Sequence, residues 1–435
     1  MRAAHACFGL LGTLALTVLP APAGAQPVGD EFQVNTYTTG NQRTQGPGHL
    51  IGADASGNFV VVWQGPPRAG GFGAAIFGQR FDSSGEMLGA EFAVDSSATG
   101  GQWLPSVAMA ANGDFVVVWS SLRQNRSEYD IFGQRYDRAG VPHGDVFRVN
   151  SHTRSQQFSP VVAADTGGNF VVVWESRNQD GSNQGVFGQR FDSGGVPRGA
   201  EFRVNSYTTG WQYHPSVSSD ADGNFVVVWQ SFGQDGDGPG VFGQRYDSAG
   251  GARGREFLVN SYTTSGQYLP SVALAESGSF VVVWSSRYQD SGGQGIFGQR
   301  YDSEGAAQGN EFRINSFTTF AELSPSVAAA VDGDFVVVWE RFDHPNSKRS
   351  IFGRRYDSDG VAQGDEFQVN SFTTGVKMNP AVATTGPSRF VAVWESGDQD
   401  GDQLGVFGQR FDFGGDSITV ESPNRKRGLP DRARP

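Results

Sequence analysis

Asn169-Phe170-Val171-Val172-Val173-Trp174, followed by Phe187-Gly188-Gln189-Arg190, decides the fold. From Phe170 to Trp174 the first segment is apolar at every position. A strand reads that way when other sheets cover both of its faces. The same tryptophan recurs at Trp63, Trp119, Trp174, Trp229, Trp284, Trp339 and Trp394, with spacings of 56 and then 55 five times. The second motif begins at Phe77, Phe132, Phe187, Phe242, Phe297, Phe352 and Phe407, always 55 apart, and only the Phe352 copy departs, reading Phe-Gly-Arg-Arg. Each copy offers four short strand-like segments rich in Val, Phe and Tyr. In the third copy they are Pro160–Ala164, Asn169–Glu175, Val186–Asp192 and Glu201–Asn205, with Gly, Asp, Asn and Ser between them. No window shows helical periodicity. Four strands at a fixed period of this length predict an all-β, seven-bladed β-propeller with four antiparallel strands per blade, spanning 26–415.

The copies are offset from the chain ends. Residues 29–38 match the fourth strand of a blade, whereas Phe407–Asp412 match a third strand. The N-terminal strand is therefore expected to pair into the last blade and close the ring, which removes the edge-strand problem. The Arg of each Phe-Gly-Gln-Arg and the Glu of each Glu-Phe-x-Val-Asn flank a predicted hairpin. Six ion pairs are expected across it: Arg80–Glu91, Arg190–Glu201, Arg245–Glu256, Arg300–Glu311, Arg355–Glu366 and, across the closure, Arg410–Glu31. In the second blade Val146 stands where Glu would be.

The pattern Pro-Ser-Val-Ala-x-x-x-x-Gly-Asn-Phe-Val-Val-Val-Trp resembles blades of sialidase-like and related bacterial propellers. The whole unit, with Gln-Asp-Gly-Ser loops, Gly-Ile-Phe-Gly-Gln-Arg-Tyr-Asp and Glu-Phe-x-Val-Asn, looks like repeats of bacterial secreted and surface proteins. The resemblance covers nearly the whole chain after residue 25 and implies a propeller in an extracellular setting. It implies no particular activity, because the Ser-x-Asp-x-Gly-x-Thr-Trp box of sialidases is missing from the sequence.

Residues 1–25 read as a signal peptide, with Arg2, the apolar run Leu10–Leu19 and an Ala23-Gly24-Ala25 cleavage site. A secreted or periplasmic protein is expected. Cys7, the single cysteine, lies in that segment, so disulfides do not hold the fold. Residues 416–435, with Arg425-Lys426-Arg427 and several prolines, read as a disordered basic tail. No later apolar run reaches membrane length. The formal charge is −12. Nucleic acid is a poor partner for so acidic a chain, because phosphate binding needs clustered Lys and Arg. A monomer is expected.

Two loop sets should share each face of the ring. The loops that follow the first and third strands are nearly uniform among copies. The loops after each Trp and before each Pro vary, and variable loops on a rigid scaffold are where binding concentrates. Before the prolines runs a polar-aromatic series: Gln102-Trp103, Gln157-Phe158, Gln212-Tyr213 and Gln267-Tyr268, with Trp211 beside it, and then Glu322-Leu323 and Lys377-Met378. Gly46 and His49 occupy the equivalent loop of the first blade. Aromatics and amides around a channel mouth suit the stacking and hydrogen bonding of sugars; interblade packing is the competing use of the same residues. The loops after Trp are rich in Asp. Asp235, Asp237 and the run Asp398-Gln399-Asp400-Gly401-Asp402 make Ca²⁺ the candidate cation, although Gly falls at the fourth position and Gln409 stands where a bidentate Glu would be. A solvated Asp/Gly turn is the competing reading. No cofactor is required, and no residue is singled out as catalytic.

Three functions fit these features. The first is a non-enzymatic binding module for a glycan or an extracellular protein. The second is a polysaccharide lyase or hydrolase using His49, His214 and Tyr213 on the same face. The third is a purely structural, adhesin-like propeller. A deep pocket gathering those histidines with carboxylates would favour the enzyme, and a shallow face with exposed aromatics would favour binding.

Overall fold

Val, Phe and Trp favour extended backbone because branched and aromatic side chains pack well on a pleated surface. In the computed structural model each Phe-Val-Val-Val-Trp segment is a strand, as in Phe170–Arg177, buried along nearly its whole length. The structure describes residues 25–413, apart from 45, 47–48, 69–72, 96–99, 123–127, 291–292, 320 and 344–347. The expected signal peptide, except for Ala25, and the expected basic tail lie outside the described residues.

The strands form seven four-stranded sheets arranged as a propeller. In the third blade Gln157–Ala164, Phe170–Arg177, Gln184–Phe191 and Pro197–Arg203 pair antiparallel in chain order. The first strand starts earlier than the sequence suggested, because Gln157 and Phe158 pair with Ser176 and Glu175 before the register shifts at the proline. The innermost strands are joined from blade to blade. The Oγ atoms of Ser106, Ser216, Ser271 and Ser326 accept the N–H of Val162, Val272, Val327 and Val382 on the next blade, at 3.2–3.3 Å.

The core lies between blades. All seven repeat tryptophans are fully buried. On each blade the Phe of the second strand stacks on the aromatic residue of the third, and the fourth-strand Phe of the preceding blade leans on both. Phe225 and Tyr246 stack at 4.7 Å, with Phe202 tilted against Tyr246 at 5.5 Å.

The N-terminal strand makes the same contacts at the closure. Gln26–Gln33 pairs antiparallel with Leu404–Asp412. Its Phe32 leans on Phe81 of the first blade at 5.3 Å. Asn35 accepts the Val406 N–H at 2.7 Å, as Asn205 accepts that of Val186 at 2.8 Å.

The expected Arg–Glu ion pairs do not form. Arg190 is registered against Arg198, and an irregularity in that strand pair leaves Glu201 near the opposite end of the blade. Each Arg instead crosses to the hairpin of the next blade. Arg80 donates to the Arg138 carbonyl at 2.7 Å, Arg190 to Ser248 at 2.8 Å, Arg245 to Ser303 at 2.8 Å, Arg300 to Ser358 at 2.6 Å and Arg410 to Ser83 at 3.2 Å. Arg355 lies over the Phe413 ring. Each Glu crosses to the preceding blade. Glu201 accepts the Ser151 N–H at 2.6 Å, and Glu256, Glu311 and Glu366 accept those of Ser206, Ser261 and Ser316. Glu91 accepts from Thr36 and Glu31 from Ser371, both at 2.8 Å, so the rule holds around the closure as well. Val146 packs against a hydrophobic cluster instead.

Candidate functional site at the channel mouth

The residue after each repeat tryptophan is polar: Gln64, Ser120, Glu175, Gln230, Ser285, Glu340 and Glu395. All seven are buried. Burying such a group without a partner is costly, and most of these find theirs across the seam between blades. Gln64 accepts the N–H of Leu104 at 3.2 Å, Glu175 that of His214 at 3.0 Å, Gln230 that of Leu269 at 2.9 Å and Glu340 that of Asn379 at 3.4 Å. Glu395 accepts from the Thr44 N–H at 2.7 Å and from Asn379 Nδ2 at 3.0 Å.

The residues held this way precede prolines, and their backbones are strained. Leu104, Ser159, His214, Leu269, Ser324 and Asn379 have φ between 50° and 57°. That is the left-handed region, costly for a side chain with Cβ and doubly unfavourable before proline. Together with His49 these six line one cavity of about 360 Å³ at the channel mouth, on the variable-loop face. The repeat therefore sends one strained side chain per blade toward a common centre in six of the seven blades.

Desolvation sets the charge of this cavity. His214 is pushed down to about 4 and His49 is also lowered, both chiefly by burial, so both imidazoles are neutral at neutral pH. His214 Nδ1 is buried without a hydrogen-bond partner. Glu175, behind His214, is pushed up to about 7 by burial, against the opposing hydrogen bonds from the His214 backbone and Ser159. Burial likewise raises Glu340 and Glu395. Tyr213 sits beside His214 with ring centroids 5.0 Å apart, and burial followed by Tyr268 and Glu175 raises its phenol.

The four glutamines of the polar-aromatic series are buried in the scaffold rather than open to the cavity. Gln157 accepts from Trp174 Nε1 at 2.9 Å. Gln212 and Gln267 each accept from a neighbouring Asn at 3.3 Å and donate to the loop carbonyls of Thr209 and Thr264. Gln102 joins the Ile76 N–H to Asp95. In the first blade Gln42, and not a residue at Gly46, meets the tryptophan, accepting Trp63 Nε1 at 3.1 Å. The aromatics that follow, Trp103, Phe158, Tyr213 and Tyr268, are partly exposed, and Trp103 packs edge-on against Tyr129.

Trp211 is half exposed and pairs with Phe232 at 6.1 Å. Among the described residues the exposed aromatic side chains are Tyr37, Trp211, Phe232, Tyr288 and Phe317, and all five stand on loops or strand ends of the face that carries the cavity. Four of them run along blades four to six, with Arg287 bonded to the Tyr288 hydroxyl at 2.9 Å. On the opposite face the exposed large side chains are aliphatic, among them Met87, Val141, Val196, Val331 and Val361.

Among the described residues no group of three or more His, Cys, Asp or Glu is placed to hold a metal. Asp400 accepts from Asn35 Nδ2 and the Asp402 N–H, Asp402 from the Gly40 N–H at 2.8 Å, Asp237 from the Ser265 N–H at 3.0 Å, and Asp235 from Asn260 Nδ2. Asp398 turns the loop at φ 60°. Tying the turns to neighbouring chain disperses the carboxylates.

With this geometry in view, comparison with known proteins adds the fold and little else. No family model and no curated protein matches the chain. Solved structures superpose on it at low identity. The polysaccharide lyase Uly1 does so with 11% identity over 90% of this chain and 100% of that one, at a TM-score of 0.53. A PL25 ulvan lyase bound to -[GlcA(1-4)Rha3S]- shows 10% identity over 89% and 94%, at 0.50. The β-propeller domain of the Trilobed protease from Pyrococcus furiosus shows 9% identity over 89% and 100%, at 0.49. At such identities the likeness to the two lyases shows a shared fold and nothing more. Among the described residues no helix is long and apolar enough to cross a membrane.

Proposed function

We propose that this is an exported, monomeric propeller that binds a glycan chain across the variable-loop face, with one sugar unit seated in the channel-mouth cavity. One observation carries the reading: among the described residues the five exposed aromatic side chains share the face that holds the cavity, and the opposite face presents aliphatic ones. Aromatic rings offer flat apolar surface to the C–H faces of sugars, while the strained ring supplies hydroxyl, amide and imidazole groups for their hydroxyls. That two superposable propellers are polysaccharide lyases agrees with a glycan ligand. The acidic balance of the chain speaks against nucleic acid.

An enzyme acting on polysaccharide is the second reading. Its support is that His49 and His214 open into the same cavity, with Tyr213 and Glu175 beside His214. A neutral imidazole there can accept a proton and a phenol can donate one. One screen serves both readings. The full chain is passed over immobilised plant, algal and microbial polysaccharides, and any polysaccharide it retains is then incubated with it and sized. Binding predicts retention of at least one polysaccharide. Retention without shortening assigns a binding module, shortening assigns the enzyme, and retention of none removes the glycan reading.

A further inference from the structure

We propose that the channel-mouth cavity admits an uncharged sugar unit and turns away uronates and sulfated sugars. This rests on the glycan reading above and narrows it to a substrate class.

The side chains that line the cavity are a mixture of polar and apolar without a formal charge. Ser159, His214, Ser324 and Asn379 offer hydroxyl, imidazole and amide groups, and Leu104 and Leu269 offer apolar surface. His214 Nδ1 is buried and without a partner, so it adds no charge to the lining. Among the described residues no Lys or Arg lines the cavity.

Behind this lining stand three carboxylates. Glu175 holds the His214 backbone, Glu340 that of Asn379, and Glu395 the Asn379 amide. Arg349 compensates Glu340 at 2.6 Å. The bonds to Glu175 and Glu395 come from neutral groups, and Arg43 attracts Glu395 only at longer range. A carboxylated or sulfated sugar entering here would lose its hydration, find no cation and face two poorly compensated carboxylates. Burying an unpaired charge beside like charges is strongly unfavourable. A neutral sugar has no such penalty and can bond the hydroxyl and amide groups of the lining. Arg287 remains on the exposed rim, bonded to Tyr288, and does not reach the lining.

The test uses the full chain and two sets of tetrasaccharides. The neutral set is cello-, xylo-, manno-, arabino- and N-acetylchito-tetraose. The acidic set is tetragalacturonate, tetramannuronate and a sulfated galactan tetramer. Calorimetric titrations run at about pH 8, where Glu175, raised to about 7 by burial, is mostly ionised. The best neutral oligomer should bind at least about tenfold more tightly than any acidic one. Raising the salt should change this gap little, because buried carboxylates are weakly screened. The Glu175→Gln/Glu395→Gln double variant should narrow the gap. An acidic oligomer that binds as tightly as the best neutral one overturns the proposal and leaves the glycan reading standing. Binding of neither set removes the glycan reading and this inference with it. If the double variant fails to fold, the wild-type panel and its salt dependence decide.

Discussion

Glu175 does two things that pull against each other. Its carboxyl group anchors the strained His214 backbone at 3.0 Å, and its burial makes the charged form unfavourable. The consequence for stability has a definite sign. Burial raises its pKa from 4.5 to about 7, so the folded state holds the proton more tightly than the unfolded chain. The stability linked to that proton is present below about pH 4.5 and is lost as the pH climbs through about 7. His214, lowered from 6.5 to about 4, acts oppositely, so the two largely mask each other in the wild type. Glu175→Gln separates them. The amide oxygen can still accept from His214 and Ser159 and carries no charge. The variant should gain stability over the wild type as the pH rises from about 5 to about 7, by on the order of 2 kcal/mol. Parallel melts across that range check this; a difference that stays flat with pH would mean that Glu175 is not desolvated as the structure requires. The residues that build this site were only partly legible in the sequence. The polar residue after every tryptophan was present in all seven copies, yet nothing in a strand pattern shows that its side chain crosses a seam. The glutamines before the prolines looked like an exposed ring, but at the start of an inner strand their side chains turn inward to Trp Nε1 and loop carbonyls.

At the scale of the strand, Gln26–Gln33 behaves as a fourth strand of the last blade although it lies at the other end of the chain. The offset of the repeat made that pairing readable, because a third strand without a fourth has one complementary segment. The side-chain traffic was not readable. A register irregularity in the outer hairpin turns each Arg toward the next blade and leaves each Glu to the preceding one, and periodicity carries no signal for such a shift. The result is that a blade is joined to its neighbours by four separate devices: the inner serines, the polar residues after the tryptophans, the outer Arg and Glu bonds, and the fourth-strand Phe. If the N-terminal strand is equivalent to the others, Phe32→Ala should weaken the fold about as much as Phe202→Ala, each by about 3 kcal/mol. Denaturant unfolding of both variants compares them. A Phe32→Ala variant as stable as the wild type would make the N-terminal strand dispensable and the closure wrong.

For the whole molecule, the ring separates scaffold from site by face. Hairpin loops, interblade arginines and exposed aliphatic side chains occupy one side. Strained inner residues, the cavity and the exposed aromatics occupy the other. The first blade, which looked exceptional in sequence through Gly46 and His49, contributes His49 to the cavity, but the exposed aromatics concentrate on blades four to six. This asymmetry separates the binding account from a purely structural propeller, for which neither face should matter. The most direct test compares the two faces on one retained glycan. Trp211→Ala removes the one exposed tryptophan among the described residues of the variable face, and Val141→Asp places a charge at an exposed position on the other. The account predicts that Trp211→Ala weakens binding by about 2 kcal/mol, roughly thirtyfold, with an unchanged melt, and that Val141→Asp binds as the wild type does. Binding that survives Trp211→Ala and is lost in Val141→Asp would contradict it.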